Sequence, residues 1–280
     1  MGPREAAMRK VFVAASIIAV VASVLARPVT ASEPQAPVGV LGPIDALGQD
    51  FRLPPPPTGP PPRLLDGTID LGDGIWVGMR ATGRGIAQGL KAGEELPLLP
   101  SAKETMAASK GTDDPVNWCL PLGLVRPSPY PFRFIQNYTH KKPTHMYILS
   151  EWMGSFRQIF LDGRKHPAEP EPTWFGHSIG WYEGDTLVID TVGFNDKFWF
   201  DRLATPHTER LHTIERWTRI DAGHLVRELT IDDPGTYSRP FTVRAEMTLR
   251  PPGDELMEYV CQENNQYGTA GGSSPPSAGR

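Results

Sequence analysis

The sequence predicts a mainly β protein whose folded part is an antiparallel barrel. Residues 132–263 alternate apolar and polar side chains in short runs, turn residues separate the runs, and helical periodicity is almost absent there. Short strands joined by short connections are typical of up-and-down barrels and of sandwiches. Because most connections have hairpin length, we favour an up-and-down barrel of about eight to nine strands, with a β-sandwich as the alternative.

About nine strands are predicted in this region. They span residues 132–138, 145–152, 156–161, 177–182, 185–194, 209–219, 224–231, 241–250 and 256–263. The central hairpin reads WYEGDTLVIDTVGFN from Trp181 and turns at Gly184. Alternation along its second strand places Asp190 on one face with Val188 and Val192. A barrel of about eight or more strands, as in lipocalins, encloses one small ligand.

The N-terminal part of the chain is different in character. Basic residues precede an apolar run at residues 11–26, and small residues follow, so residues 1–31 are predicted as a secretory signal peptide. The alternative is a membrane anchor, but such a run rises only about 24 Å as a helix, less than the roughly 30 Å hydrocarbon core. Residues 32–117 are predicted as a Pro- and Gly-rich arm with one helix, residues 100–110, capped by Ser101.

Residues 118–267 are assigned to the β domain and residues 268–280 to a disordered tail. Cys119 and Cys261 are the only cysteines, and in a periplasmic or extracellular setting they are predicted to form one disulfide, with two free thiols as the alternative. The net charge is −4 without a Lys/Arg cluster on one element, so nucleic-acid binding is not expected. Stable membrane insertion after signal cleavage is not expected either, since no second apolar run is long enough.

Several distinctive blocks lie in the second half of the chain. They are FRQIFLDGRKHP from Phe156, WYEGDTLVIDTVGFND from Trp181 and EYVCQEN from Glu258. On these blocks the chain resembles a family of exported bacterial β-rich proteins of unknown function. The resemblance implies an exported β domain and implies no activity. Upstream, the chain has IDLGDGIW where that family typically has a PDLSGxW-like segment.

Charged side chains on otherwise apolar strand faces are the main candidates for a functional site. Asp190, Glu151, Glu215 and Arg157 each lie on such a face. Burial of an unpaired carboxylate is costly and raises its pKa toward the range useful in acid–base chemistry. One hypothesis is a pocket in which these four residues perform general acid–base catalysis. The alternative is a buried ion-pair network that only stabilises the barrel.

Further candidates follow the central hairpin. His207 is predicted to overhang the barrel mouth as a proton carrier, or else to be a plain surface histidine. Asn195, Trp199 and Tyr147, together with Glu151 and Arg157, are predicted ligand contacts. The aromatic run 198–200 forms either a ligand wall or a loop fixed by its own rings. The spacing of His207 and His212 does not bring both rings to one metal ion, so no metal or other cofactor is predicted.

The sequence therefore predicts an exported barrel that binds a small, partly apolar molecule. One alternative is an acid–base enzyme of lyase, isomerase or hydrolase type, with Asp190, His207 and Glu215 as catalytic residues. Another is a structural protein of the cell envelope without a ligand. All three are compatible with the residues above, and no pattern indicates an oligomeric state.

Overall fold

The computed structural model describes residues 38–39, 42–43, 54–72, 74–78, 83–139 and 142–264. The predicted signal peptide and C-terminal tail lie outside the described residues. Before the division of the chain at residue 53, β1 (Val38–Gly39) pairs with β2 (Gly42–Pro43). A second compact unit begins at Pro54 and contains the predicted β domain.

Nine strands of the described chain close into one barrel. They are β3 Trp76–Gly78, β4 Phe132–Thr139, β5 Lys142–Ser150, β6 Phe156–Phe160, β7 His177–Glu183, β8 Thr186–Val192, β9 His212–Arg219, β10 His224–Asp232 and β11 Phe241–Leu249. Around the barrel their order is β10-β11-β3-β4-β5-β6-β7-β8-β9. The predicted barrel is confirmed. Because the ring of strands is closed, the sandwich alternative is wrong.

The strand that closes the ring is not the one predicted. Residues 256–263 contain no strand, and Cys261–Asn264 form a 3-10 turn. Instead β3 pairs with β11 on one side and with β4 on the other. Aromatic packing of Tyr259 against Trp152, with ring centroids 4.9 Å apart, accounts for part of the apolar pattern that suggested a strand.

One pair of neighbouring strands departs from a simple meander. β6 and β7 are parallel, with Ile159 opposite Ser178, whereas every other described barrel pair is antiparallel. Residues 161–176 must therefore return along the barrel before β7 begins. This crossover segment carries His166 and is bonded to the end of the central hairpin through Thr173 and Asn195.

The predicted arm is part of the folded unit from Pro54 onward. Its residues contact one end of the barrel, where Arg63 pairs with Asp185 at 2.7 Å. The helix α1 (Pro100–Ala108) is confirmed, but the Ser101 cap is wrong, because Pro100 occupies the first helical turn and Leu99 is the N-cap. Proline fits there since its fixed φ suits a helix start and that N–H has no helical partner.

The barrel interior has an apolar cluster at each end. The arm-side cluster contains Ile69, Trp76, Phe134, Leu187, Trp217 and Met247. The loop-side cluster contains Leu124, Phe194, Phe198, Leu229, Tyr237 and Phe241. Between them lie inward positions occupied by polar side chains. This order follows from strand alternation: along β9, for example, Thr213 and Glu215 precede Trp217 on the inner face, where all three are buried.

A disulfide joins Cys119 to Cys261, with Cα atoms 5.6 Å apart. The predicted pairing is confirmed. It connects the segment between β3 and β4 to the segment after β11, so it closes a covalent loop that contains strands β4 to β11. Among the described residues, no helix is sufficiently long and apolar to cross a membrane.

Candidate functional site

A layer of polar side chains crosses the barrel between the two apolar clusters. Arg157 of β6 donates hydrogen bonds to Glu215 of β9, to Ser178 Oγ of β7 at 3.0 and 3.1 Å, and to Thr191 Oγ1 of β8 at 2.7 Å. The Glu215 side chain is fully buried. A buried ion pair is tolerated when further hydrogen bonds satisfy its atoms. The two hydroxyls supply such bonds to Arg157, so the layer is a connected network, in which Glu215 Oε1 is buried without a hydrogen-bond partner among the described residues.

Arg227 of β10 is a second guanidinium beside the same carboxylate. Its Nη1 lies 3.5 Å from Glu215 Oε1, and its Nε is buried without a hydrogen-bond partner among the described residues. Burial lowers the pKa of Arg227, the Glu215 charge opposes this, and the Arg157 charge adds to it. Arginine nevertheless stays charged in proteins. The polar layer therefore holds two positive charges and one negative charge.

A cavity of about 170 Å³ opens beside Arg157 and Arg227. Its wall is mostly apolar and includes Phe132, Ile148, Trp217 and Met247 from the strands, with residues 122–128 over them. Ala245 lies opposite Arg227 in the β10–β11 register, and its small side chain leaves room in this part of the wall. An apolar cavity of roughly 150 Å³ holds benzene, so the present cavity suits a ligand with about one ring.

The charged residues of the cavity wall are all basic: Arg126, Arg157, Arg227 and Arg244. Arg126 is paired with Asp114 at 2.7 Å, and Arg244 with Glu246. Neither of those carboxylates belongs to the wall, and among the described residues no Asp, Glu, His or Cys lines the cavity. Arg244 lies on the exposed face of β11 and Arg126 is neutralised by Asp114, so the positive charge that the cavity presents to an occupant comes from Arg157 and Arg227.

The structure separates two residues that the sequence placed in one pocket. Arg157 and Glu215 meet as expected, but Asp190 lies on the opposite face of β8. In the β8–β9 register it is Ile189 that pairs with Glu215, while Asp190 Oδ1 accepts from His212 Nε2 at 2.8 Å and from His166 Nε2 at 3.2 Å. The prediction of a pocket shared by Asp190 and Glu215 is therefore wrong.

Asp190 is the centre of a hydrogen-bonded chain on the outer face of the barrel. His166 Nδ1 lies 2.8 Å from His177 Nδ1, which extends the chain by one ring. Burial would raise the pKa of Asp190, but bonds to His212 and His166 more than offset this and lower it. The same bond raises the pKa of His212, and burial lowers that of His177. The chain anchors the crossover segment to the barrel.

His207 does not overhang the barrel mouth, and that prediction is wrong. The side chain is buried between Phe198 and Phe200, whose ring centroids lie 4.0 and 4.9 Å from its own. Its Nδ1 donates to the Thr208 carbonyl oxygen at 3.2 Å, and Nε2 is buried without a partner in the described part of the chain. Burial lowers the pKa of His207, so the ring is neutral at pH 7.

The remaining predicted ligand contacts lie away from the cavity. Glu151 accepts from the Met257 amide at 3.3 Å, and Tyr147 stacks on His145. Asn195 is buried and accepts from the Lys197 amide, while Trp199 is half-buried. Of the five predicted ligand contacts, the cavity wall includes only Arg157.

Two cavity residues were missed by the sequence reasoning. Arg227 shares the inner face of β10 with Leu225 and Leu229, both fully buried, and a lone arginine among inward leucines was the available signal. Trp217 is the second, two residues after Glu215 on the same buried face of β9. Its indole Nε1 is buried without a hydrogen-bond partner among the described residues.

The described residues contain no group of three or more His, Cys, Asp or Glu arranged to hold a metal ion. Comparison of the chain with protein-family models, with curated proteins and with solved structures finds no match. Fold and cavity therefore define a disulfide-linked, nine-stranded barrel with a mostly apolar cavity whose charged lining residues are arginines.

Proposed function

We propose that the protein is an exported binding protein that holds one small, partly apolar molecule in the barrel cavity. The observation that carries this proposal is the composition of the cavity wall. Apolar rings and aliphatic side chains form most of it, and a few polar groups converge at the buried arginine layer. Ligand pockets of proteins commonly combine an apolar lining with a few placed polar groups in this way.

Binding is favoured over acid–base catalysis. A general acid or base must lie within hydrogen-bond reach of its substrate, and the described cavity wall offers arginines but no carboxylate or imidazole. Glu215 is paired with Arg157 and does not line the cavity, and Asp190 lies on the outer face of the barrel. The presence of a cavity also favours binding over a purely structural role in the envelope.

Export is supported by the disulfide between Cys119 and Cys261, because disulfides persist in oxidising compartments such as the periplasm and the extracellular space. The signal-peptide pattern of residues 1–31 is the other support. Fractionation of cells that express the full chain, followed by N-terminal sequencing of the exported form, tests this part of the proposal.

A substitution that fills the cavity tests ligand binding. Ala245→Leu places a larger side chain in the cavity wall, whereas Thr248→Leu makes a matched change at an exposed position of the same strand. We expect single-ring compounds, screened by ligand-observed NMR, to bind the unchanged protein and Thr248→Leu but not Ala245→Leu. Equal binding to both variants, with both folded by circular dichroism, contradicts a site in the cavity.

A further inference from the structure

We propose that the cavity ligand carries an anionic group, such as a carboxylate on an aromatic or short aliphatic body, and that Arg227 and the Trp217 indole bind that group. This inference rests on the proposed function, since it assigns the chemical class of the molecule that the cavity holds.

The first support is the balance of charge around the cavity. Each arginine of the wall except Arg227 has a carboxylate in close contact: Asp114 for Arg126, Glu215 for Arg157 and Glu246 for Arg244. Among the described carboxylates Arg227 approaches only that of Glu215, at 3.5 Å, which already accepts a shorter bond from Arg157, and its Nη1 also donates to the Leu124 carbonyl oxygen at 3.5 Å. One positive charge is left without a negative charge of its own.

This excess does not depend on one interatomic distance. A shorter contact between Arg227 and Glu215 would still leave two guanidinium groups sharing a single carboxylate. The Arg227 side chain is only 15% exposed, and a charge with little hydration gains much from an anion at close range. A bound carboxylate would complete the layer as two cations and two anions.

The second support is a set of donors without acceptors. Arg227 Nε, Trp217 Nε1 and Trp152 Nε1 are buried, and none has a hydrogen-bond partner among the described residues. All three residues line the same cavity. All three groups are donors only, and a buried donor left without an acceptor costs about 1–3 kcal/mol. Acceptor oxygens on a ligand supply what these donors lack, whereas N–H donors on a ligand do not.

The guanidinium of Arg227 is suited to a planar anion. Its Cζ lies 5.4 Å from the centre of the Trp217 ring, which gives the group an aromatic neighbour on one side. Arginine binds carboxylates through parallel N–H donors, and such charged bonds are about twice as strong as neutral ones. The apolar rings of Phe132 and Trp217 remain available for the body of the ligand.

The inference is tested with three probes of nearly the same shape: benzoate, benzamide and benzamidine. They carry a negative charge, no charge and a positive charge on the same ring, so differences in affinity report charge rather than size. Isothermal titration of the full mature chain is expected to rank benzoate first by at least about tenfold, which corresponds to one charged hydrogen bond. Benzamidine is expected to bind weakest. This ranking requires no variant.

A pair of variants assigns the preference to Arg227. Arg227→Met keeps an apolar stem of similar length and is expected to reduce benzoate affinity to that of benzamide, with benzamide affinity unchanged. Arg216→Met alters an arginine on the outer face of the barrel, paired with Glu183, and is expected to leave the ranking as it was. Trp217→Phe keeps a ring, removes the indole donor and is expected to weaken benzoate more than benzamide.

The outcomes separate the two proposals. Equal affinities for benzoate and benzamide refute the proposal that the ligand is anionic and agree with a cavity that binds a neutral molecule. Tight benzoate binding that persists in Arg227→Met overturns the assignment to this arginine. Failure of all three probes to bind at millimolar concentration overturns both the binding function and the inference.

Discussion

The pair of Arg157 and Glu215 gives the sharpest prediction for stability. Arg157→Met removes the hydrogen bonds to Glu215, Ser178 and Thr191 together. The carboxylate then remains fully buried, with Arg227 at 3.5 Å as its closest cation. Removing one partner of a buried ion pair costs about 3–5 kcal/mol because an uncompensated charge stays in the interior. We expect a loss of free energy of unfolding in that range.

Two further substitutions calibrate this value. Arg227→Met removes a guanidinium with long contacts and an unpartnered Nε, so the expected change is within about 1 kcal/mol of the unchanged protein, in either direction. Arg216→Met breaks an exposed pair with Glu183, which is worth about 0–1 kcal/mol. The expected order of destabilisation therefore places Arg157→Met well apart from the other two.

Equilibrium unfolding in urea, with the disulfide intact, measures all three variants. Coincident transitions by tryptophan fluorescence and circular dichroism show whether a two-state analysis is valid. If Arg157→Met lost no more than Arg216→Met, the carboxylate of Glu215 would not depend on Arg157. The description of the polar layer as one connected network would then be refuted.

Three other predictions concern a glycine of the cavity wall, the outer face of the barrel and the disulfide. Gly123 has φ +71°, and a Cβ there would overlap the Phe198 ring, whereas Gly163 has φ +80° with open space around it. Gly123→Ala should therefore lose more free energy of unfolding in urea than Gly163→Ala, and equal losses would refute the packing argument. Asp190→Asn should lower the pKa of His212, measured by NMR titration, because the carboxylate charge that favours the protonated ring is lost. A histidine whose pKa is raised by folding stabilises the folded state at pH values below its pKa in the unfolded chain, and this contribution disappears as pH rises through the folded pKa. The loss of free energy of unfolding in Asp190→Asn should therefore be larger near about pH 6 than near about pH 9. The reverse order would contradict this assignment. Replacing both disulfide cysteines by serine should cost up to roughly 5 kcal/mol, and no shift of the urea midpoint would contradict that value.

The strand pattern of the barrel was predictable because each strand has one buried face. Along β11, Phe241, Val243 and Met247 are buried and alternate with exposed polar residues, so period two was visible in the sequence. The disulfide was predictable from the count of cysteines together with the signal-peptide pattern. The strand pattern depends on local sequence alone, and with two cysteines in the chain the disulfide has one possible pairing.

The ring closure and the site were less predictable, since both depend on contacts between distant segments. β3 has three residues and acquires its place through pairing with β11 and β4, which no local pattern reveals. Asp190 and Glu215 both lie on faces with apolar neighbours, and the sequence does not show that Val188 and Asp190 point outward. Where other segments of the chain cover the outside of a strand, its outward face is also apolar, so the sequence pattern of that face resembles the pattern of the inward face.

The identity of any small molecule that the protein carries tests the central claim most directly. Mass spectrometry of compounds released by denaturation, after purification of the exported full-length protein under native conditions, makes the measurement, with Ala245→Leu as the comparison. The account predicts a small, partly apolar anion released from the unchanged protein and absent from Ala245→Leu. Release of a cationic or strongly polar compound, or of equal amounts from both proteins, would contradict it.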